Sequence, residues 1–375
     1  MVARISMQQW NRTLLHRQYL DERADEDAID VIDRCVGLQS QDPQAAFYAL
    51  ASRIEGFDPA ELDDLLVERE VVRLPLQRGT VFLMDGLDSR WMREVLQPVL
   101  DAGTRGHVRR FVRVTANELA SAATELVSSA EAPISGAALR QALLDRWPNE
   151  PGDAMMAVVR GCLPLVQTPP RGLWRQSGAP AFAMLDEWLG VSADRSAPNR
   201  PDADAADRAS ADTESVRDLI RMYLRGFGPS TVAGIQSWSG LRGLRPILEA
   251  MEVDWEVESF VGPNEEKLYD LDGLGLSEPE ATVPVRFIAP FDNVVFSQAD
   301  RIRVADADVY SKTLTPNGKS PGFILVDGRL AGTWRISGKA DGAGGGIELT
   351  ELVDLQPAQR RECEREANLM AAFGA

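Results

Sequence analysis

Two glutamines separated by one residue, Gln39 and Gln41 in Gly37-Leu-Gln-Ser-Gln-Asp-Pro43, are the side chains best spaced to hold one small molecule from two points. An amide has no titrating proton at neutral pH, so neither can be a general base; each can hydrogen-bond and orient. On a continuous α-helix, residues two apart diverge by ~200°, which keeps both amides out of a common pocket. Asp42-Pro43 resolves this. An N-cap followed by proline at the first helical position restarts a helix, so that Gln39 ends one helix and Gln41 turns toward the same cavity. The plainer reading is a polar turn between two helices.

The cations come next. Arg78-Gly79-Thr80 falls at the tip of a candidate hairpin, where glycine either lets the backbone approach a ligand or closes a tight turn. Arg105, His107, Arg109, Arg110 and Arg113 form the densest basic run, suited to a phosphate-contacting face and equally to a solvated helix start. Arg171 and Arg175 extend the basic theme to a second hairpin. The only histidines, His16 and His107, rule out His-rich metal sites. The lysines are Lys267, Lys312, Lys319 and Lys339, so no Schiff-base lysine exists before position 267. Cys35, Cys162 and Cys363 are too few and too scattered for a disulfide framework or zinc site. No metal or cofactor is expected, and scans for phosphate loops, dinucleotide fingerprints, zinc-protease helices and nucleophile elbows find none. The Gly342–Gly346 run reads as a turn.

The 375 residues carry a net charge of −17, enough chain for two or three domains with real cores. No window approaches the ~18 apolar residues of a membrane span, and the N-terminus lacks an apolar signal core, so the cytoplasm is the expected compartment. The acidic balance counts against a protein that coats nucleic acid non-specifically, but permits one local basic face.

Three blocks of helices followed by a strand pair must position these residues. In the first, residues 1–102, helices are expected from Ser6, over Asp25–Leu38, from Asp42 through Ala51 and over 59–69, followed by strands Val71–Leu76 and Thr80–Met84. In the second, 103–191, the helices are Thr115–Ser128, Ser135–Trp147 and Asp153–Cys162, with strands Leu163–Gln167 and Gly172–Gln176 flanking Pro169-Pro170-Arg171. An acidic, Ala/Ser/Pro-rich linker spans 192–213. The third block, 214–280, has helices Glu214–Arg225 and Leu241–Glu252, one between them capped by Gly228-Pro229-Ser230, and strands Trp255–Phe260 and Lys267–Leu271. Helix, helix, helix, hairpin three times over is the pattern of tandem winged helices. From 281 to 375 the texture is β, with strands at Val285–Ala289, Arg301–Val304, Phe323–Val326, Leu330–Ile336 and Ile347–Leu352, and a terminal helix Pro357–Ala372. The expected architecture is α+β: three tandem winged-helix modules and a C-terminal β-barrel.

The segments Gly37–Pro43, Arg78–Thr80, Leu224-Arg-Gly-Phe-Gly-Pro-Ser-Thr231, Ala289-Pro-Phe-Asp292 and Val326-Asp-Gly-Arg-Leu-Ala-Gly-Thr-Trp-Arg335 resemble, in order and spacing, the AlkZ-type DNA glycosylases of the winged-helix superfamily. The resemblance implies winged helices and a barrel around a DNA-sized channel, a catalytic role for Gln39 and Gln41, and bulky alkylated purines, interstrand crosslinks included, as substrates. It further implies self-resistance to a DNA-alkylating natural product. A related YcaQ branch has Asp where this sequence has Gln41.

The chemistry of the two amides agrees. They can orient a water and place an amide oxygen near an oxocarbenium-like sugar, which suffices only when the leaving base is already activated, as N7- or N3-alkylated purines are by their positive charge. A monofunctional enzyme is expected, acting as a monomer on double-stranded DNA. Arg78, Thr80, Arg105, Arg109, Arg110, Arg171 and the turn Asn317-Gly318-Lys319 are expected to approach the duplex. Two other readings stay open: a non-catalytic winged-helix regulator or drug-binding module, and a degenerate glycosylase that binds lesions without cutting them.

Overall fold

A computed structural model describes residues 2–191, 205–296, 299–315, 318–337 and 346–374. Asn317, most of the acidic linker and most of the Gly342–Gly346 run lie outside the described residues. The chain divides into two compact units: Met1–Asp58 with Ile220–Trp238 and Gly243–Ala375, and Pro59–Leu219 with Ser239–Arg242.

In the first unit, helix Met7–Arg17 begins where the sequence places it, Ser6 accepting from the Gln9 amide at 3.0 Å. Its apolar face, Trp10, Leu14 and Leu15, is buried, and the Trp10 indole N–H donates to the Pro229 carbonyl at 2.6 Å. Helices Ala28–Arg34 and Ala45–Ala51 follow. Helix Arg245–Val253, with Pro246 in its first turn, precedes the hairpin Val257–Val261/Lys267–Leu271. The C-terminal part is an antiparallel sheet in the order Gly346–Glu351, Arg329–Ser337, Gly322–Val326, Arg286–Ile288, followed by helix Pro357–Phe373.

That sheet corrects the expected barrel. Among the described residues its four strands stay open, and a closed barrel with a filled interior takes about eight. One expected strand, Arg301–Val304, is a 3₁₀ turn. Its alternation misleads: a strand would turn Arg303 outward, whereas it is fully buried and donates to the Phe227 and Pro229 carbonyls at 2.9 and 3.0 Å.

The second unit opens with helix Pro59–Val67 and the hairpin Val71–Pro75/Val81–Asp85, in register from Val71 opposite Asp85 to Pro75 opposite Val81. Helices Gly86–Val95 and Gln97–Val108 come next; the sequence reading leaves this stretch unassigned. Three further helices, Ala116–Ser128, Gly136–Arg146 and Gly152–Cys162, close a core of Leu119, Ala123, Leu139, Leu143, Met155, Val159, Leu165 and Phe182. Thr115 and Glu118 form a reciprocal capping box at the first of these. A three-stranded sheet in the order Ile134–Ser135, Ala181–Met184, Leu165–Gln167 packs with them. Here too one strand is corrected: Leu165–Gln167 pairs with Ala181–Met184, not with Gly172–Gln176. The two prolines at 169 and 170 offer no N–H to a ladder, so the hairpin connection runs on to residue 180.

Among the described residues no helix is long and apolar enough to cross a membrane, and no group of three or more His, Cys, Asp or Glu is placed to hold a metal ion.

Candidate active site

The segment carrying Gln39 departs from the expected helix end. Helix Ala28–Arg34 stops four residues earlier, and the chain turns through Val36 (φ 55°) and Gly37 (φ 78°) before Leu38–Gln39 run extended. Glycine suits this second left-handed position because it has no Cβ. On an extended backbone alternate residues share a side, so the first geometry in the sequence reading, an α-helical one, does not apply. Asp42 opens a turn and not the helix itself: its carboxylate accepts from the Gln44 amide at 3.0 Å and its carbonyl from the Ala45 amide at 3.1 Å, but the helix runs over Ala45–Ala51 with Gln44 at its N-cap, so Pro43 precedes it and is not its first residue.

Gln39 is buried and Gln41 is exposed. Gln39 lines a small cleft together with Gln18, Cys35, Ala49, Arg53, Pro290, Asp292 and Asn293; Gln41 is not among the lining residues. About 10 Å³ of this cleft is open to the centre of a water-sized sphere, roughly the room one water needs. That is too little room for a purine.

The wall of the cleft is built on Arg53, a guanidinium buried to 1 % exposure. It donates to both Asp292 carboxylate oxygens, Nη1 at 2.9 Å and Nη2 at 3.1 Å. Nη1 also reaches the Ala49 carbonyl at 3.1 Å and the Ser52 hydroxyl at 3.2 Å, and Nη2 the Gln18 side-chain oxygen at 3.2 Å. Gln18 in turn donates to the Gly226 carbonyl at 2.6 Å. Burial alone would disfavour the cation, but Asp292 and Cys35 outweigh it and raise the Arg53 pKa above its ordinary value. Burial also pushes the Cys35 thiol up, to about 11, against the pull of Arg53; it is a neutral wall residue and not a nucleophile.

The family-like segments have mostly structural duties. Gly226 lies against the Arg34 carbonyl, where a Cβ would come within 2.2 Å. The Ser230 hydroxyl donates to Asp300 at 2.8 Å. The Trp334 indole donates to the Ile288 carbonyl at 2.9 Å, and Asn11 donates to the Gly328 carbonyl at 2.9 Å. The exceptions are Gly37, Leu38 and Gln39 and, in the fourth segment, Ala289, Pro290 and Asp292, which line the cleft.

The expected DNA-facing cations, Lys319 excepted, belong to the second unit. Arg78 (φ 56°) is half-buried on the turn Gln77–Gly79, with its guanidinium 5.5 Å from the Phe82 ring centroid. Desolvation lowers its pKa to about 10, which leaves it charged at neutral pH. Thr80 closes that turn, its hydroxyl donating to the Gln77 carbonyl at 3.1 Å. Arg105 and His107 sit in the last turn of Gln97–Val108, not at a helix start, where positive charge complements the helix dipole. Arg105, Arg109, Arg110 and Arg113 are exposed, but Arg110 is clamped by Asp153 at 2.7 and 2.9 Å. Arg171 donates to the Gly178 carbonyl at 2.8 Å. In the first unit, Lys319 is exposed beside Gly318.

Arg53, Gln18 and Asn293 are the cleft residues that sequence reasoning passes over. Arg53 left a signal: it is a lone cation closing the apolar run Ala45–Ser52, and a cation buried there requires a carboxylate. That the carboxylate lies at position 292 is a tertiary fact no local pattern holds.

The sequence matches a family model described as DNA glycosylase AlkZ-like over residues 32–373. No curated protein matches it. Among solved structures, the DNA glycosylase AlkZ of Streptomyces sahachiroi superposes with a TM-score of 0.75 at 18% identity, over 99% of this chain and 98% of that one.

Proposed function

Because the chain belongs to the AlkZ-like DNA glycosylase family, we propose that it is a monofunctional DNA glycosylase removing bulky, cationic N7- or N3-alkylated purines, with Gln39 and Gln41 at the reacting centre. The carrying observation is the buried Gln39 amide on a cleft with room for one water. The reaction breaks the C1′–N bond. The alkylated base departs carrying the electron pair and loses its positive charge, while a water adds to C1′ and gives up a proton to solvent. Departure of a cationic base needs no protonation, so a side chain that only orients the water is sufficient. Gln39 holds that water through its amide, and the exposed Gln41 faces the developing charge on the sugar.

The water-sized cleft supports a lesion that stays near the helix and is not swallowed whole, in contrast with glycosylases that flip the base into a fitted pocket. Bulky adducts and interstrand crosslinks fit such a mode, as does a role in self-resistance to a DNA-alkylating natural product. We retain the reading of three winged-helix modules at 1–102, 103–191 and 214–280, acting as a cytoplasmic monomer on duplex DNA, with Arg78, Thr80, Arg105, Arg109, Arg110, Arg171 and Lys319 as the contacts. With no lysine before position 267, Schiff-base lyase chemistry at this site is not expected, and Lys267 is paired with Glu252 at 2.6 Å; among the described residues no lysine lines the cleft.

The test is release of free base from a duplex carrying one N7-alkylguanine, comparing wild type with Gln39→Ala and Gln41→Ala. The expected result is release by wild type and a loss of at least ~100-fold in each variant, about 2.7 kcal/mol of barrier. Lesion binding without release would instead favour a non-catalytic binding protein.

A further inference from the structure

The buried pair Arg53–Asp292 has no evident purpose in stability. Replacing a buried ion pair by apolar residues of similar size is often neutral or stabilising, and the surrounding wall already contains Ala49, Ala289 and Pro290. What the pair does supply is geometry. The planar guanidinium gathers two distant parts of the chain, Gln18 and both oxygens of Asp292, onto its own helix end, where it also meets the Ala49 carbonyl and the Ser52 hydroxyl. Asp292 is fixed a second time, since its Oδ1 also accepts from the Val294 amide at 3.0 Å. The turn bearing Asp292 and the buried Asn293 is thereby set in the same cleft wall that carries Gln39.

We propose that Arg53 and Asp292 are positioning residues for the reacting water, the bidentate pair holding the Asp292-Asn293 turn in the cleft that Gln39 lines. The inference rests on the glycosylase reading above and names residues through which Gln39 acts. Two properties of the pair serve the reaction. Its fork fixes distance and plane, as a point-charge ammonium cannot. Its neutrality keeps an uncompensated cation away from a transition state that is itself positive.

Arg53→Lys retains the charge and loses the fork. Asp292→Glu retains the charge and displaces the turn by one methylene. Each variant is measured for single-turnover release of N7-alkylguanine, for binding of the lesion duplex, and for thermal midpoint, alone and combined with Gln39→Ala. The proposal expects at least a tenfold slower release in the folded single variants with unchanged duplex affinity. It also expects strong non-additivity: in the Gln39→Ala background the same substitution costs less than twofold, because the water it would misplace is no longer held. Release at the wild-type rate by a folded variant overturns the inference. So does a loss of equal size with and without Gln39, which would mark the pair as scaffold only. If wild type itself releases no base, the glycosylase reading fails and the inference falls with it; if wild type releases base and the variants do likewise, only the inference fails.

Discussion

Gly226→Ala sets two effects of opposite sign against each other. Gly226 lies in helix Ala205–Phe227, and alanine is a better helix former there by up to about 1 kcal/mol. Local propensity alone therefore makes the variant more stable. The structure reverses the sign. A Cβ at 226 would stand 2.2 Å from the Arg34 carbonyl oxygen and 3.4 Å from Val36 Cγ2. The close neighbour is backbone, which cannot rotate aside as a side-chain tip can, so the segment carrying Arg34 must retreat by about 1 Å; overpacking of this kind costs about 1–3 kcal/mol. Any share of the shift taken up by Gly226 itself stretches the bond from Gln18 to its carbonyl, 2.6 Å in the native arrangement, at a further cost of about 1 kcal/mol. The expected net is a loss of about 1–3 kcal/mol, read as a lower urea midpoint at unchanged slope. Base release should slow as well, because Arg34 precedes Gln39 by only five residues. A variant as stable as wild type, or more stable, would refute the packing argument and return the glycine to a helix defect.

Two other substitutions separate structure from binding. The Glu150 carboxylate accepts from the backbone amides of Val112, Arg113 and Val114 at 2.8, 2.6 and 3.1 Å. Burial by itself would raise this carboxyl, but the three donors overcome it and hold its pKa below the ordinary range. Its contribution is therefore complete above the ordinary glutamate pKa of about 4.3 and is lost as pH falls through the depressed native value. Glu150→Gln should cost about 1–3 kcal/mol at pH 7, with the gap to wild type narrowing below pH 4 in denaturation curves. Arg110→Ala removes only an exposed ion pair with Asp153, so the urea midpoint should stay where it is in wild type. If Arg110 meets a phosphate, the slope of log affinity for duplex DNA against log salt should fall by about 1; an unchanged slope removes it from the contact set.

Where one segment carries its own instructions, the sequence was readable. Ser6, Thr115 and Ser135 each cap the helix that follows them, and Gln77-Arg78-Gly79 turns the hairpin that alternation on either side predicts. Misreadings arose where a buried arginine posed as a surface residue, as at Arg303, or where a proline pair lengthened a connection, as at Pro169-Pro170. The site divides the same way. Gln39 and Asp42 could be singled out from type and spacing, whereas the partnership of Arg53 with Asp292 joins residues 239 positions apart and leaves no periodic trace. The helix expected to end at Gln39 failed for a local reason: the left-handed turn at Val36 and Gly37 ends it first.

The ratio of 36 arginines to four lysines acquires a physical meaning once the buried ones are traced. Arg12, Arg17, Arg53, Arg73, Arg93, Arg286 and Arg303 are all buried, and several of them tie carbonyls near helix ends or in loops to a distant part of the chain. Arg17 reaches the Leu224 carbonyl at 2.8 Å while binding Asp270 through both oxygens. Arg93 reaches the Gly161 carbonyl at 2.6 Å, and Arg12 that of Ala281 at 2.8 Å. An ammonium is a compact, strongly hydrated point charge and cannot span such sets; the guanidinium presents five donors in one plane and stays charged when desolvated. For these buried residues, arginine is a crosslink between distant segments of the chain. The net charge of −17 counts these buried arginines too, so fewer cations are left at the surface than the composition suggests. On the proposed glycosylase reading, exposed cations such as Arg105, Arg109 and Arg113 act locally against an acidic background, so binding to an undamaged duplex is expected to be weaker than to one carrying a cationic N7-alkylguanine; equal affinity for the two duplexes in a titration would refute this.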